Sequence, residues 1–232
     1  MAGTLIVALD VDHRADAETL IEALGDSVGF YKIGYQLVYG GEGLALGKAL
    51  IAAGKQVFFD LKLLDIDNTI EKGAAAIAAT GAAMLTVHAY PKAMRAAAKA
   101  TVGSGLTILG VTVLTSMDDR DVKDAGYAGD VARLVATRAQ QALSAGIGGL
   151  VCSPNEAGMV RGLVGPEMAI VTPGIRPEGA TLGDQKRVMS PGEALEAGST
   201  HLVVGRPITA AADPVEAAKL VLRQMQTGSR LA

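Results

Sequence analysis

Phe58-Phe59-Asp60-Leu61-Lys62-Leu63-Leu64-Asp65-Ile66-Asp67-Asn68-Thr69 is an apolar run with an acid and a base at alternate positions and another acid just past its end. Residues two apart on a β-strand share a face, so Asp60 and Lys62 are expected to project side by side. Opposite charges that close hold each other ionised. The plain alternative is a surface ion pair, which contributes little. The flanks argue against it: Val57, Phe58, Phe59, Leu61, Leu63 and Leu64 are too apolar for an exposed strand. A core strand that ends in charge and leads into a helix is therefore the unit to look for elsewhere.

That unit recurs. Strands are expected over 4–9, 30–34, 56–62, 84–88, 106–114, 149–152, 168–172 and 201–205. Helices are expected over 16–24, 42–53, 68–80, 92–101, 130–145, 155–163, 191–197 and 214–226. Alternating strand and helix implies parallel strands with helical crossovers, and strands apolar on consecutive residues imply that both faces are covered. About eight such units in one chain of this length predict a single (βα)8 barrel spanning 1–232 as one catalytic domain, with a doubly wound open sheet as the alternative. No change of composition or Pro/Ser-rich linker marks a second domain.

Half of the 232 residues are hydrophobic, but tryptophan is absent and aromatics are only 3%, so the core must be aliphatic. A balance of 21 basic against 24 acidic residues argues against a nucleic-acid or anionic-membrane surface, and base-stacking platforms would need more aromatics. The segments 73–91 and 100–117 lack formal charge, yet Gly, Thr and Ser break them, so they read as pieces of a core rather than membrane spans. The single Cys152 lies in an apolar run and reads as a buried structural thiol. With no signal peptide apparent at the N-terminus, a reducing, cytoplasmic setting is expected.

In a parallel barrel the C-terminal ends of the strands gather at one mouth, where chemistry occurs. Those ends carry Asp10, Lys32, Asp60 with Lys62, His88, Thr115-Ser116, Pro173 with Arg176, and Gly205-Arg206. Strand ends are naturally polar, which explains some of these residues but not two lysines with several carboxylates on core strands. Buried charges need partners, and a set built from Lys32, Asp60, Lys62 and Asp65 would supply them mutually.

Gly205-Arg206 after the last strand suggests an anion site at the C-terminal ends of the last two strands. Glycine admits a ligand to the backbone, and arginine offers a fork to phosphate oxygens. The Gly/Pro-rich segment 173–187 is longer than a usual βα connection and reads as a lid, with Arg176 and Gln185 able to close over the same phosphate.

His13, His88 and His201 lack metal-ligand spacing, and no metal is indicated at Asp10 and Asp12. No dinucleotide fingerprint or P-loop appears. Gly40-Gly41-Glu42-Gly43 reads as a turn, and neither Ser116 nor Ser153 sits in a nucleophile elbow.

Together these residues resemble the orotidine 5′-monophosphate decarboxylases over nearly the whole chain. The resemblance rests on motifs in order: Ala8-Leu9-Asp10, Lys32-Ile33-Gly34, Asp60-x-Lys62-x-x-Asp65-Ile66-x-Asn68-Thr69, Leu114-Thr115-Ser116, Val171-Thr172-Pro173-Gly174-Ile175-Arg176, Gly183-Asp184-Gln185 and Val204-Gly205-Arg206-Pro207-Ile208. Asp67 stands where the family usually has proline, and Leu64 where many bacterial members have histidine.

The resemblance implies a decarboxylase without cofactor or metal, making uridine 5′-monophosphate. Lys62 would be the proton donor, with Lys32, Asp60 and Asp65 completing the charged network. Asp10, Lys32 and Thr69 would touch the ribose, and Thr115 and Ser116 would lie by the pyrimidine. Arg176, Gln185, Gly205 and Arg206 would hold the phosphate, with Pro173 beside them. It also implies a homodimer in which Asp65 and Thr69 reach into the neighbouring subunit's site.

Two rivals differ in class. One is a Mg²⁺-dependent barrel lyase of the 3-keto-gulonate phosphate decarboxylase or hexulose phosphate synthase type, which shares the Asp-x-Lys-x-x-Asp strand. The continuation Asp65-Ile66-Asp67-Asn68-Thr69 and the long Arg/Gln segment argue against it. The other is a non-catalytic nucleotide-binding barrel, which should have lost the acid–base set that this chain retains.

Overall fold

The structure is a computed structural model that describes residues 3–177 and 189–228. Eight parallel strands close into a barrel in the order β1-β2-β3-β4-β5-β6-β7-β8. They are β1 (Thr4–Ala8), β2 (Phe30–Ile33), β3 (Gln56–Leu63), β4 (Met84–His88), β5 (Thr107–Val111), β6 (Gly149–Val151), β7 (Ala169–Thr172) and β8 (His201–Val204). β8 returns to pair with β1 through Thr4–His201 to Val7–Val204, which closes the ring and excludes the open sheet.

The helices are α1 (Arg14–Leu24), α2 (Tyr35–Tyr39), α3 (Gly43–Ala52), α4 (Asp67–Ala78), α5 (Pro91–Ala100), α6 (Asp119–Asp124), α7 (Val131–Ala145), α8 (Ala157–Val164), α9 (Pro191–Glu196), α10 (Arg206–Thr209) and α11 (Pro214–Gly228). Local chemistry sets several of their starts. Asp130 caps α7 by accepting from the Arg133 amide, and Ser190 with Glu193 forms a capping box on α9. Each longer helix lays an aliphatic stripe on the barrel, as with Val135, Ala139 and Ala142 of α7.

Strand alternation divides the apolar residues into two layers. Ile6, Ala8, Phe30, Phe58, Met84, Leu109, Val171 and Val203 fill the barrel interior. The intervening residues, such as Val7, Tyr31, Val57, Phe59 and Leu85, pack outward against the helices. One step of two residues further along four neighbouring strands, interior Ala8, Phe30, Phe58 and Met84 give way to Asp10, Lys32, Asp60 and Thr86. The polar layer therefore rests on an apolar floor.

Two local expectations are corrected. The strand expected over 106–114 ends at Val111. Arg138 from α7 donates to the Thr112 carbonyl, and the chain turns away there. The short helices α2, α6 and α10 occupy stretches where no helix was expected; four to six residues are too few to display a helical period.

Candidate active site

The centre of the site is Asp60. Its Oδ1 accepts from Lys62 Nζ at 2.9 Å and from Thr86 Oγ1 at 2.9 Å, and its Oδ2 lies 3.5 Å from Lys32 Nζ. Lys32 Nζ also donates to Asp10 Oδ1 at 2.8 Å. The Lys32 side chain is 9% exposed and that of Asp60 15%, so neither charge is solvated by bulk water. Burial alone would neutralise both. For Lys32 it is outweighed by the carboxylates of Asp60 and Asp10, and the ammonium is held above its ordinary range. For Asp60 it is outweighed by Lys32 and Lys62, helped by the Lys62 and Thr86 hydrogen bonds, and the carboxyl is held below its ordinary range.

Asp60 and Lys62 do meet, but not on a regular strand. The pairing of β3 with β4 shifts register between Phe59 and Leu63, and Lys62 has φ of 45°, in the left-handed region. The Lys62 amide donates to Thr86 Oγ1 at 2.9 Å. The Lys62 ammonium lies 5.2 Å from the Tyr35 ring centroid, and Tyr35 is held by its own hydrogen bond to the Leu61 carbonyl. Gly34 gives this cluster room: a Cβ there would stand 3.1 Å from Lys32 Nζ and 3.2 Å from Asp10 Oδ1.

Asp65 does not join the set. It lies in the exposed turn between β3 and α4, where its Oδ1 accepts from the Ile66 amide at 2.6 Å. Strand alternation ceases before position 65, so the spacing that aims Asp60 and Lys62 inward does not govern it. Asp10 takes the fourth place in the charged cluster instead. Thr69 is exposed in the first turn of α4, and Ile66 and Leu64 beside it are 71% and 52% exposed.

Elsewhere around the mouth, Thr115 and Ser116 lie in the turn after β5, half-buried and exposed respectively. Pro173 follows β7 directly, and Gly205 follows β8 and precedes α10, which opens with Arg206. Gly205 lies close to β1, since a Cβ on it would stand 3.6 Å from Ala8 Cβ. Burial and the neighbouring Arg206 together lower the proton affinity of Arg176, so the two guanidiniums share one neighbourhood. That is the arrangement expected of an anion site. Gln185 and most of the segment expected to be a lid lie outside the described residues.

Thr86 was not anticipated. Its position two before His88, on the inward face of β4, was the available signal. Also unanticipated is the stack in which Arg138 lies over the rings of Tyr90 and Tyr127 at 5.2 and 5.1 Å. Together with His88 these residues line a cavity of about 290 Å³ beside the site. Burial, then Lys62 and Arg138, push the His88 imidazole toward its neutral form. Among the described residues no three His, Cys, Asp or Glu side chains are grouped to hold a metal ion.

Comparison with known proteins agrees with the barrel fold. An orotidine 5′-phosphate decarboxylase of Rhodopseudomonas palustris is 59% identical over 221 residues, 95% of this chain and 94% of that protein. The crystal structure of orotidine 5′-phosphate decarboxylase from Lactobacillus acidophilus superposes with a TM-score of 0.84 at 34% identity, covering 96% of this chain and 99% of that one. An uncharacterized conserved protein from Geobacillus kaustophilus superposes with a TM-score of 0.81 at 29% identity, covering 95% and 99%. Residues 3–221, which include every strand of the barrel, match one family along their whole length, and the chain belongs to it: the orotidine 5′-phosphate decarboxylase / HUMPS family.

Proposed function

We propose that this chain decarboxylates orotidine 5′-monophosphate to uridine 5′-monophosphate in pyrimidine synthesis, as one catalytic domain with Lys62 as proton donor. The family also includes the HUMPS proteins, so the 59% identical decarboxylase supports this reading over the Mg²⁺-dependent lyases. The observation that carries it is the Lys62 ammonium, bonded at 2.9 Å to a carboxylate that a second lysine also faces.

The chemistry asks for such a group. Loss of CO₂ from C6 of the pyrimidine leaves its electron pair in an sp² orbital outside the π system, with no conjugated sink. A preorganised cation stabilises that developing charge without rearranging at the moment of reaction. Lys62 supplies the cation and then its proton to C6, which becomes C–H. Asp60 keeps Lys62 charged and aimed. Lys32, Asp10 and Thr69 hold the ribose, and Thr115 and Ser116 flank the pyrimidine. Pro173, Arg176, Gln185, Gly205 and Arg206 form the phosphate end. Binding energy from that remote end serves the chemical step.

The working form in this reading is a homodimer in the cytoplasm. Asp65 and Thr69, exposed in one protomer, complete the partner's site. The apolar Leu64, Ile66 and Tyr90 around a cleft of about 720 Å³ support a covered face there. Among the described residues no helix is long and apolar enough to cross a membrane.

Loss of orotidylate absorbance is the assay. EDTA-treated protein should turn over fully, whereas activity that needs added Mg²⁺ would favour the metal-dependent lyase. Lys62→Ala should abolish turnover and keep measurable affinity for uridine 5′-monophosphate. Mixing Lys62→Ala with Asp65→Ala subunits should restore some activity, and no recovery despite confirmed exchange would refute the shared site.

A further inference from the structure

Thr86 is fully buried in β4 and touches both members of the Asp60–Lys62 pair. Its Oγ1 accepts the Lys62 amide at 2.9 Å and donates to Asp60 Oδ1 at 2.9 Å. We propose that Thr86 is a positioning residue, a hydroxyl relay that fixes the backbone of Lys62 and the carboxylate of Asp60 in one arrangement. The inference rests on the reading of Lys62 as proton donor.

The need for the relay comes from the backbone. With φ of 45°, Lys62 occupies a conformation that L-residues with a Cβ adopt at a cost of about 1–2 kcal/mol. The conformation lies within the register shift between Phe59 and Leu63, and the hydroxyl of Thr86 receives the amide of Lys62 there. A part-buried amide without an acceptor would be destabilised, so the hydroxyl holds the irregular turn in place.

The direction of the relay is fixed as well. An amide can only donate and an ionised carboxylate can only accept, so the single hydroxyl proton must point at Asp60. The donated hydrogen bond favours the ionised form of Asp60, which is also the state that keeps Lys62 charged. A threonine kept merely as a β-branched filler would have none of these properties, and valine would serve that purpose equally well.

The comparison is Thr86→Val against Thr86→Ser in the full-length protein. Valine preserves shape and removes the relay, whereas serine preserves the relay and removes a methyl group. A lost hydrogen bond to a charged group corresponds to roughly 10–100-fold. We expect kcat of Thr86→Val to fall by about that factor with KM changed less than about threefold, and Thr86→Ser to stay within about threefold of wild type. The acid limb of the kcat profile should move to higher pH in Thr86→Val, because Asp60 loses a donor. Amide hydrogen exchange at Lys62, read by NMR, should quicken by about tenfold or more.

A wild-type kcat and acid limb in Thr86→Val, a Thr86→Ser variant as impaired as Thr86→Val, or an unchanged Lys62 exchange rate would overturn the proposal. If Thr86→Val does not fold, Thr86→Ala against Thr86→Ser makes the same comparison. If the wild type fails to consume orotidylate, the decarboxylase reading falls, and the Lys62 exchange rates alone decide whether Thr86 positions it.

Discussion

Replacing Asp60 by asparagine is the most searching perturbation of this site, because the shape changes little and one charge disappears. In the wild type, Asp60 faces Lys62 at 2.9 Å and Lys32 at 3.5 Å. At an effective dielectric of about 20, each contact carries about 5 kcal/mol of Coulomb attraction. Much of that offsets the desolvation of three partly or wholly buried charges, so the net effect is smaller. Removing one partner of a buried pair generally costs about 3–5 kcal/mol. Here Asp10 still pairs with Lys32 at 2.8 Å, which puts Asp60→Asn at the lower end, about 3 kcal/mol. At a urea slope of about 3 kcal/mol/M, the unfolding midpoint should drop by about 1 M at fixed protein concentration.

The pH dependence carries a sign. The folded-state carboxyl of Asp60 lies below its unfolded value, so its contribution is present above about pH 4 and fades as pH falls toward the folded value. Lys32 lies above its unfolded value, so its contribution holds below about pH 10 and fades as pH rises through the folded value. Asp60→Asn should therefore lose the Asp60 share of the wild type's acid-side fall in stability. Turnover should fall by about 10²–10³-fold, the range for loss of a preorganised electrostatic contact. A variant with wild-type midpoints from pH 3 to 8 and wild-type turnover would refute the account of Asp60 as the charge that organises both lysines.

Two further substitutions test other parts of the molecule. Arg206→Ala should raise KM for the nucleotide by about 10–100-fold, while any slow turnover of the phosphate-free nucleoside stays unchanged; equal effects on both substrates would place Arg206 away from the phosphate. Gly149→Ala should destabilise the barrel without touching the mouth, because a Cβ there would stand 2.6 Å from Leu109 Cδ2 and 2.7 Å from the Ala169 carbonyl oxygen. The backbone must shift, so a loss of about 1–3 kcal/mol and a fall of several degrees in Tm are expected, with KM unaltered.

The site was legible in the sequence wherever strand alternation governs it. Phe30 and Lys32, or Phe58 and Asp60, lie two apart on strands of recognisable length, so the turn from apolar floor to charged mouth can be read directly. Legibility ended where geometry depends on another strand. The left-handed Lys62 backbone arises within the shift against β4, and a threonine among apolar residues reads as ordinary β-former until its two hydrogen bonds are seen. Asp65 belongs to the signature, yet its side chain follows the turn rather than the strand. The early end of β5 depends on Arg138, 26 residues further along the chain. Local pattern holds no record of such contacts.

Charge and position at the mouth are arranged in two halves. Lys32 and Lys62 are matched by Asp10 and Asp60 within hydrogen-bonding reach, so this half holds its geometry without help from a ligand. At the other half, burial and then the charge of Arg206 disfavour the Arg176 guanidinium, a cost that a dianion bound there, as proposed, would relieve. In the proposed reading, a substrate with phosphate at one end and its reacting carbon at the other would meet attraction at the arginines and a fixed ammonium at the lysines. The apolar layer of Phe30, Phe58 and Met84 beneath the lysines matters to that division. It keeps water from screening the Asp60–Lys62 contact from below, so in the proposed mechanism the cation would stay effective at the atom where negative charge develops.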